Sequence, residues 1–218
     1  MKYILNIIIS TSLILSYDLT MVEKLILDNE FLDSQIAVEE LMIKDSSNSA
    51  VFELASKISL KLDDLSMANK YINKAIELDP TNNDYRSFWE DLNEIRTLLN
   101  DSQKSFDNGF IDEAIDSYNE IVKKYPKLAL GYYNFGMIYY RLEDYDNAVE
   151  NLKMAKTINP FNEKYDQSIK NIAAKLTQKG NEEYRRLEYD SAIEFYSKAV
   201  QYDPSFSESR FKIALIKN

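Results

Sequence analysis

The chain has 218 residues, 45% hydrophobic and 28% charged, and its 26 basic against 36 acidic side chains leave a net charge of −10, so it holds enough apolar material for a substantial core. It contains no cysteine and no histidine, which excludes disulfides, thiolate and imidazole metal sites, thiol nucleophiles and histidine acid–base catalysis. An acidic surface without a basic stripe repels phosphate backbones, so nucleic acid is not an expected partner; four glycines and four prolines starve a β-rich fold of turn residues and favour an all-α one.

Residues 1–16 read as a segment apart. Met1 and Lys2 precede an apolar run from Tyr3 to Leu15, a charged start and a core of signal-peptide length that is short for a membrane span. The expectation is export to a bacterial periplasm or envelope, with the mature chain starting near Tyr17. Asn6, Ser10, Thr11 and Ser12 dilute the run, and Ile14 stands where cleavage after Ser16 prefers a small residue. The alternatives are an uncleaved membrane anchor, or an apolar N-terminal helix packed on a cytoplasmic protein.

From there a unit repeats. It is faint in FLDSQIAVEELMIKDS and clear in LSMANKYINKAIELDP, IDEAIDSYNEIVKKYP, YDNAVENLKMAKTINP and YDSAIEFYSKAVQYDP, the last four ending at Pro80, Pro126, Pro160 and Pro204. The prolines mark where a helix must stop. Pro126 and Pro160 lie 34 residues apart, whereas the intervals Pro80 to Pro126 and Pro160 to Pro204 are 46 and 44 residues. The first surplus, DYRSFWEDLNEI, places Tyr85, Phe88, Leu92 and Ile95 on a helical stripe that runs on through Leu99, Ser102 and Phe106. Thr81 and Asp84 are expected to form a capping box before it and Gly109 a stop after it. The second carries Tyr165, Ile169 and Ile172 into Leu176 in the same way. Both surpluses, 83–94 and 163–172, therefore lengthen a helix at its N-terminal end to about 40 Å.

Small residues interrupt the apolar runs at Gly136 and Ala148, and again at Gly180 and Ala192. Antiparallel helices approach closely only where both are small, so each pair reads as a crossing point within a hairpin. Ala155 and Ala199 would serve the contact with the next hairpin. A glycine inside a helix costs about 1 kcal/mol against alanine, which a steric demand must outweigh.

In residues 129–162, Tyr132, Phe135, Gly136 and Tyr139, then Ala148, Leu152 and Pro160, follow the pattern W-x2-L-G-x2-Y, A-x3-F, P; Leu176, Lys179, Gly180, Ala192, Tyr196 and Pro204 follow it in 173–206. On these residues the chain resembles the tetratricopeptide repeat family. Elsewhere Ser56 and Ser102 replace the glycine, and Ser59 and Ser105 the tyrosine. The resemblance implies an all-α solenoid of antiparallel helix hairpins in a right-handed superhelix, here with two lengthened first helices. Residues 17–218 would form one domain: a degenerate repeat at about 15–48, repeats 49–82, 95–128, 129–162 and 173–206, and a partial terminal helix 207–218.

It also implies a non-enzymatic adaptor or scaffold that binds protein or peptide and needs no cofactor or metal. In this family the first helix of each repeat lines a concave groove. Carried onto this chain, the inward positions are Leu130, Tyr133, Met137, Tyr140 and Arg141, an apolar set, and a polar set that includes Asn181, Arg185 and Arg186. Such a groove would take an apolar side chain next to a carboxylate; the competing reading has the tyrosines packed and the arginines paired with Glu182, Glu183 or Glu188. A two-carboxylate clamp for chain termini needs K-x-x-G-N, and Thr177 stands where its lysine should be, so tail binding is not expected. Phe88 and Trp89 on the first extension form an alternative docking patch. Phe211, Ala214 and Leu215, with Ile213 and Ile216, leave the last helix with more apolar surface than one neighbour covers, and association through 207–218, either with itself or with a partner, is expected. A carboxylate-dependent glycoside hydrolase is the remote alternative: acids such as Glu143 with Asp144 or Asp63 with Asp64 fall in predicted turns or on solvated faces.

Overall fold

A computed structural model describes residues 17–217. The export expectation rests on residues 1–16 and lies outside the described residues. Those that are described form eleven helices and no strand, each packed on its neighbour in chain order. The hairpins are α1 (Leu19–Leu27) with α2 (Phe31–Lys44), α3 (Ser49–Lys61) with α4 (Leu65–Leu78), α5 (Asn83–Asp107) with α6 (Ile111–Lys124), α7 (Ala129–Arg141) with α8 (Tyr145–Ile158), and α9 (Glu163–Arg185) with α10 (Tyr189–Tyr202); α11 (Ser207–Lys217) closes the array.

Two kinds of turn punctuate the chain, each with its own chemistry. Within hairpins, one residue takes a left-handed conformation: Asn29 (φ 60°), Asp63 (66°), Gly109 (86°), Glu143 (61°) and Leu187 (66°). The following amide reaches back into the last turn, as Asp64 N–H does to the Ser59 carbonyl at 2.8 Å, which satisfies carbonyls the helix end leaves open. Gly109 does stop α5. Between hairpins, Asp45, Asp79, Asn159 and Asp203 accept the amide two residues on, and Asn48, Asn82 and Asn162 cap the next helix. The cap of α5 is thus Asn82, with Thr81 instead donating its hydroxyl to Asp79 at 2.7 Å. Asparagine at the N-cap satisfies an orphan amide directly, and it takes the place expected for the capping box.

The crossing points are as tight as the small residues imply. A Cβ on Gly136 would lie 3.0 Å from the Ala148 carbonyl oxygen and 3.1 Å from Leu152 Cγ. At Gly180 the opposing group differs from expectation. Its Cβ would meet the ring of Tyr196 at 2.6 Å, not Ala192, because the aromatic one turn along α10 fills the crossing.

The two surpluses are continuous with their helices: α5 has 25 residues and α9 has 23, against 13 in α3 and α7. At 1.5 Å per residue they run roughly 38 and 35 Å. Each serves two neighbours. The first half of α5 packs Tyr85 and Leu92 against Ala68, Ile72 and Ala75 of α4, and its second half packs Ile95, Leu99 and Phe106 against Tyr118 and Ile121 of α6. Likewise Tyr165 of α9 packs with Ala129 and Ala155, and Ile172 and Leu176 with Ala199 and Tyr202. The array therefore steps twice, since the surplus lengths of α5 and α9 carry the following helix about three turns further along than a regular repeat would.

Stepping folds the middle of the chain back onto its beginning. The turn between α8 and α9 meets the turn between α3 and α4: Asp63 Oδ2 accepts from Asn159 Nδ2 at 2.6 Å, from Asn162 Nδ2 at 3.1 Å and from the Tyr165 hydroxyl. Beside it Phe161 sets its ring edge-on to Phe31 at 6.3 Å. The sequence puts Asp63 on a turn or solvated face; it is in the turn, half-buried and chelated by three donors, with its other oxygen buried and unpartnered.

Candidate partner-binding surface

Helix α7 carries the apolar candidates on one face, because Tyr133, Met137 and Tyr140 stand at helical intervals with Leu130 before them and Arg141 after. Leu130, Tyr133, Met137 and Tyr140 are half-buried and Arg141 is exposed. Tertiary contacts hold the rings. Tyr133 lies 5.4 Å from the ring of Tyr165, with the Lys164 ammonium over its own ring at 5.4 Å. Tyr140 lies 6.1 Å from Tyr145. Leu130 packs toward α5 and α6 instead. The stripe is continuous on the helix while its side chains lean on different neighbours.

Three of the polar candidates, Arg141, Asn181 and Arg186, have internal partners. Arg141 donates to Asp107 at 2.8 Å and lays its guanidinium over Phe106 at 4.3 Å. Asn181 accepts the Tyr196 hydroxyl at 2.7 Å and donates to Glu208 at 3.3 Å, which ties α9 to α10 and α11. Arg186 pairs with Glu183 at 2.9 Å. Arg185 is exposed and has no ion pair among the described residues. The pairs are solvent-facing and each is worth little energetically; they orient the arginine heads more than they stabilise the fold.

Other charged groups lock neighbouring hairpins in register. Lys179 reaches Glu143 at 2.6 Å, Lys198 reaches Asp146 at 3.1 Å, and the Tyr202 hydroxyl also donates to Asp146. The hydrogen bond from Lys179 holds the Glu143 carboxyl below its ordinary range, and those from Tyr202 and Lys198 do the same for Asp146. Asp64 and Asp144 cap α4 and α8.

Of the alternative patch, Phe88 is half-buried against the α4 core, while Trp89 is 39% exposed. On α11, Phe211 is 64% and Leu215 50% exposed, with Ile213 and Ile216 half-buried. What sequence reasoning missed is a cleft where α3, α5 and the turn from α6 to α7 meet, lined by Leu60, Lys61, Ile95, Lys124, Tyr125, Pro126, Lys127 and Leu128. Its walls come from segments far apart in the chain, and only the surplus length of α5 hinted at a gap there.

Comparison with known proteins agrees on the architecture. A model of the tetratricopeptide repeat matches residues 50–82 and 129–162. Among solved structures the P58(IPK) TPR domain is 14% identical over 91% of this chain, with a TM-score of 0.56; the chain spans 54% of that domain's length. TTC0263, a thermophilic TPR protein of Thermus thermophilus, is 14% identical over 91% of this chain and 96% of its own, with a TM-score of 0.35. YrrB, described as a TPR protein with an unusual peptide-binding site, is 14% identical over 88% of each chain, with a TM-score of 0.29. The two matched repeats, the left-handed turn residue inside each hairpin and the small-residue crossings give this chain the fold of a tetratricopeptide-repeat solenoid and make it similar to that family.

Proposed function

We propose that the chain is a non-enzymatic adaptor that binds a protein or peptide across the α7 stripe. The observation that carries this reading is the half-buried run of Leu130, Tyr133, Met137 and Tyr140, whose rings are already fixed by Tyr165 and Tyr145. Aromatic side chains held in place before binding lose little entropy on contact and supply large apolar area. Arg141 and Arg185 at the rim would act on encounter more than on residence.

The test is affinity capture with the full chain from its native extract, followed by titration of the captured partner. Tyr133→Ala and Tyr140→Ala are expected to weaken it by about 1–3 kcal/mol each, through faster dissociation, with circular dichroism unchanged. Undiminished affinity in both variants moves the site off α7, and loss in Trp89→Ala would assign it to the first extension. The reading includes export, supported by Lys2 and the apolar run after it; recovery of intact Met1 from a soluble cytoplasmic fraction would remove that part.

A further inference from the structure

We infer that the cleft on the step of α5 is a second binding site, and that its occupant is an internal acidic peptide segment presenting one large apolar side chain. The inference rests on the protein-binding reading of the chain and is independent of the α7 stripe.

The cleft exists because of a length mismatch. Throughout the array a second helix packs on the first helix of the next hairpin, as α2 does on α3 and α6 on α7; the surplus turns of α5 let α4 occupy its first half and α6 its second, so α4 and α6 make no substantial contact and the middle of α5 is left between them. The end of α3 and the turn from α6 to α7 then face each other across the middle of α5 with no helix between them. Ile95 forms the floor, Leu60 one wall, and Tyr125, Pro126 and Leu128 the other. The space is about 320 Å³, the scale of one or two large apolar side chains and the low end of a ligand pocket.

Charge selects the occupant. Lysines stand on both walls, Lys61 on the α3 side and Lys124 and Lys127 on the other. Lys124 is already neutralised by Glu94, which also accepts the Tyr125 hydroxyl at 2.9 Å. Lys61 and Lys127 have no acid partner among the described residues, although acids outnumber bases in the chain by ten. Lys61 is half-buried, and burial, with Lys127 nearby as a lesser cause, pulls its ammonium below the ordinary lysine range. Two cations held together at the mouth of an apolar space leave an electrostatic demand that carboxylates on either side of an inserted side chain would meet.

The probe is a fluorescein-labelled, amidated short peptide with a central leucine between pairs of glutamates in a glycine–serine background, followed by fluorescence anisotropy with the full chain. Saturable binding is expected, weakened about tenfold by Lys127→Glu and again by Lys61→Glu, and weakened by added salt. Replacing the central leucine by serine, or the glutamates by lysines, should abolish it. Lys127 lies in an exposed turn, so Lys127→Glu keeps the test valid if Lys61→Glu perturbs folding. Tyr133→Ala should leave peptide binding unchanged. Equal binding of glutamate and lysine peptides, no effect of either lysine variant, or no saturation at all overturns the cleft proposal while leaving the α7 reading to its own capture experiment. Tighter binding of a peptide ending in a free leucine carboxylate would overturn the internal segment in favour of a chain terminus.

Discussion

Ser56 donates its hydroxyl to the Ala68 carbonyl at 2.6 Å across the α3–α4 crossing. In the α7–α8 hairpin the same places hold Gly136 and Ala148, and there the carbonyl stands 3.0 Å from where a Cβ would be. One hairpin avoids the approaching oxygen and the other uses it as an acceptor. Gly136→Ser should therefore stay within about 1 kcal/mol of the parent stability, the new hydrogen bond offsetting a tight contact, and Gly136→Val should cost about 1–3 kcal/mol. Gly180→Ala should cost more than Gly136→Ala, since its Cβ would sit 2.6 Å from a buried aromatic ring. Urea unfolding of the four variants ranks them; equal costs at 136 and 180 would contradict the packing described.

The contacts of Asp63 can be cut singly. Asp63→Ala strands the buried amide of Asn159, the half-buried amide of Asn162 and the Tyr165 hydroxyl, and should cost about 2–3 kcal/mol, while Tyr165→Phe should cost about 1 kcal/mol. Small-angle scattering of Asp63→Ala should show a larger radius of gyration than the parent, because this carboxylate holds the α8–α9 turn against the α3–α4 turn. An unchanged radius means the ring contact of Phe31 with Phe161 suffices alone.

Alkaline pH acts on the same residue pair. Burial first, and donation to Asp63 second, push the Tyr165 phenol well above its ordinary value; burial also raises Tyr202, and pushes Tyr118 up to about 12. Phenols in the unfolded chain ionise near pH 10, so above that pH the unfolded state releases protons that the folded state keeps. Stability is then fully present below about pH 10 and falls as pH rises beyond it. The urea midpoint should decline from about pH 10 upward, and less steeply in Tyr165→Phe.

Leu187 holds φ at 66° with its side chain 69% exposed. A left-handed conformation costs an ordinary residue about 1 kcal/mol or more, and this one gains little packing in return. Leu187→Gly should raise the melting temperature by a few degrees, the increment about 1 kcal/mol gives a domain of this size; a lower melting temperature would show that Leu187 packs in solution.

Self-association should run through α11. Light scattering is expected to show apparent mass rising with concentration, and Phe211→Glu with Leu215→Glu to restore a monomer. A strict monomer at high concentration in the parent chain would end the idea.

The hairpins were legible because their determinants are local: Pro80, Pro126, Pro160 and Pro204 stop helices, Gly109 ends one, and the apolar stripe through Tyr85, Leu92 and Leu99 shows α5 to be continuous. The α7 stripe was legible for the same reason, being one face of one helix. Legibility ended where the partner is remote. That Gly180 faces Tyr196 depends on how far α10 slides along α9, and that Arg141 is engaged depends on Asp107 of an earlier repeat. Asn82 rather than Thr81 caps α5 because both can cap and the turn geometry chooses. The cleft beside Lys61 and the setting of Asp63 follow from the step of α5, a consequence of helix length that no motif encodes.

The hydrogen bond from Tyr165 to Asp63, with the Phe31–Phe161 ring contact beside it, closes a loop across 102 residues in a chain most of whose packing is between neighbouring helices. Bringing such distant points together carries an entropic cost that grows as the logarithm of loop length, so local hairpins should form early and this closure late in folding. Once made, it alters how the array comes apart. A linear array frays from its ends one helix at a time; here the N-terminal hairpins are fastened at Phe31 and Asp63 to the middle of the chain, so fraying from that side beyond α1 must first open an internal closure. Among the described helices α1 before it and α10 and α11 after it lie outside this closure, and amide exchange should find them opening before α3 to α8.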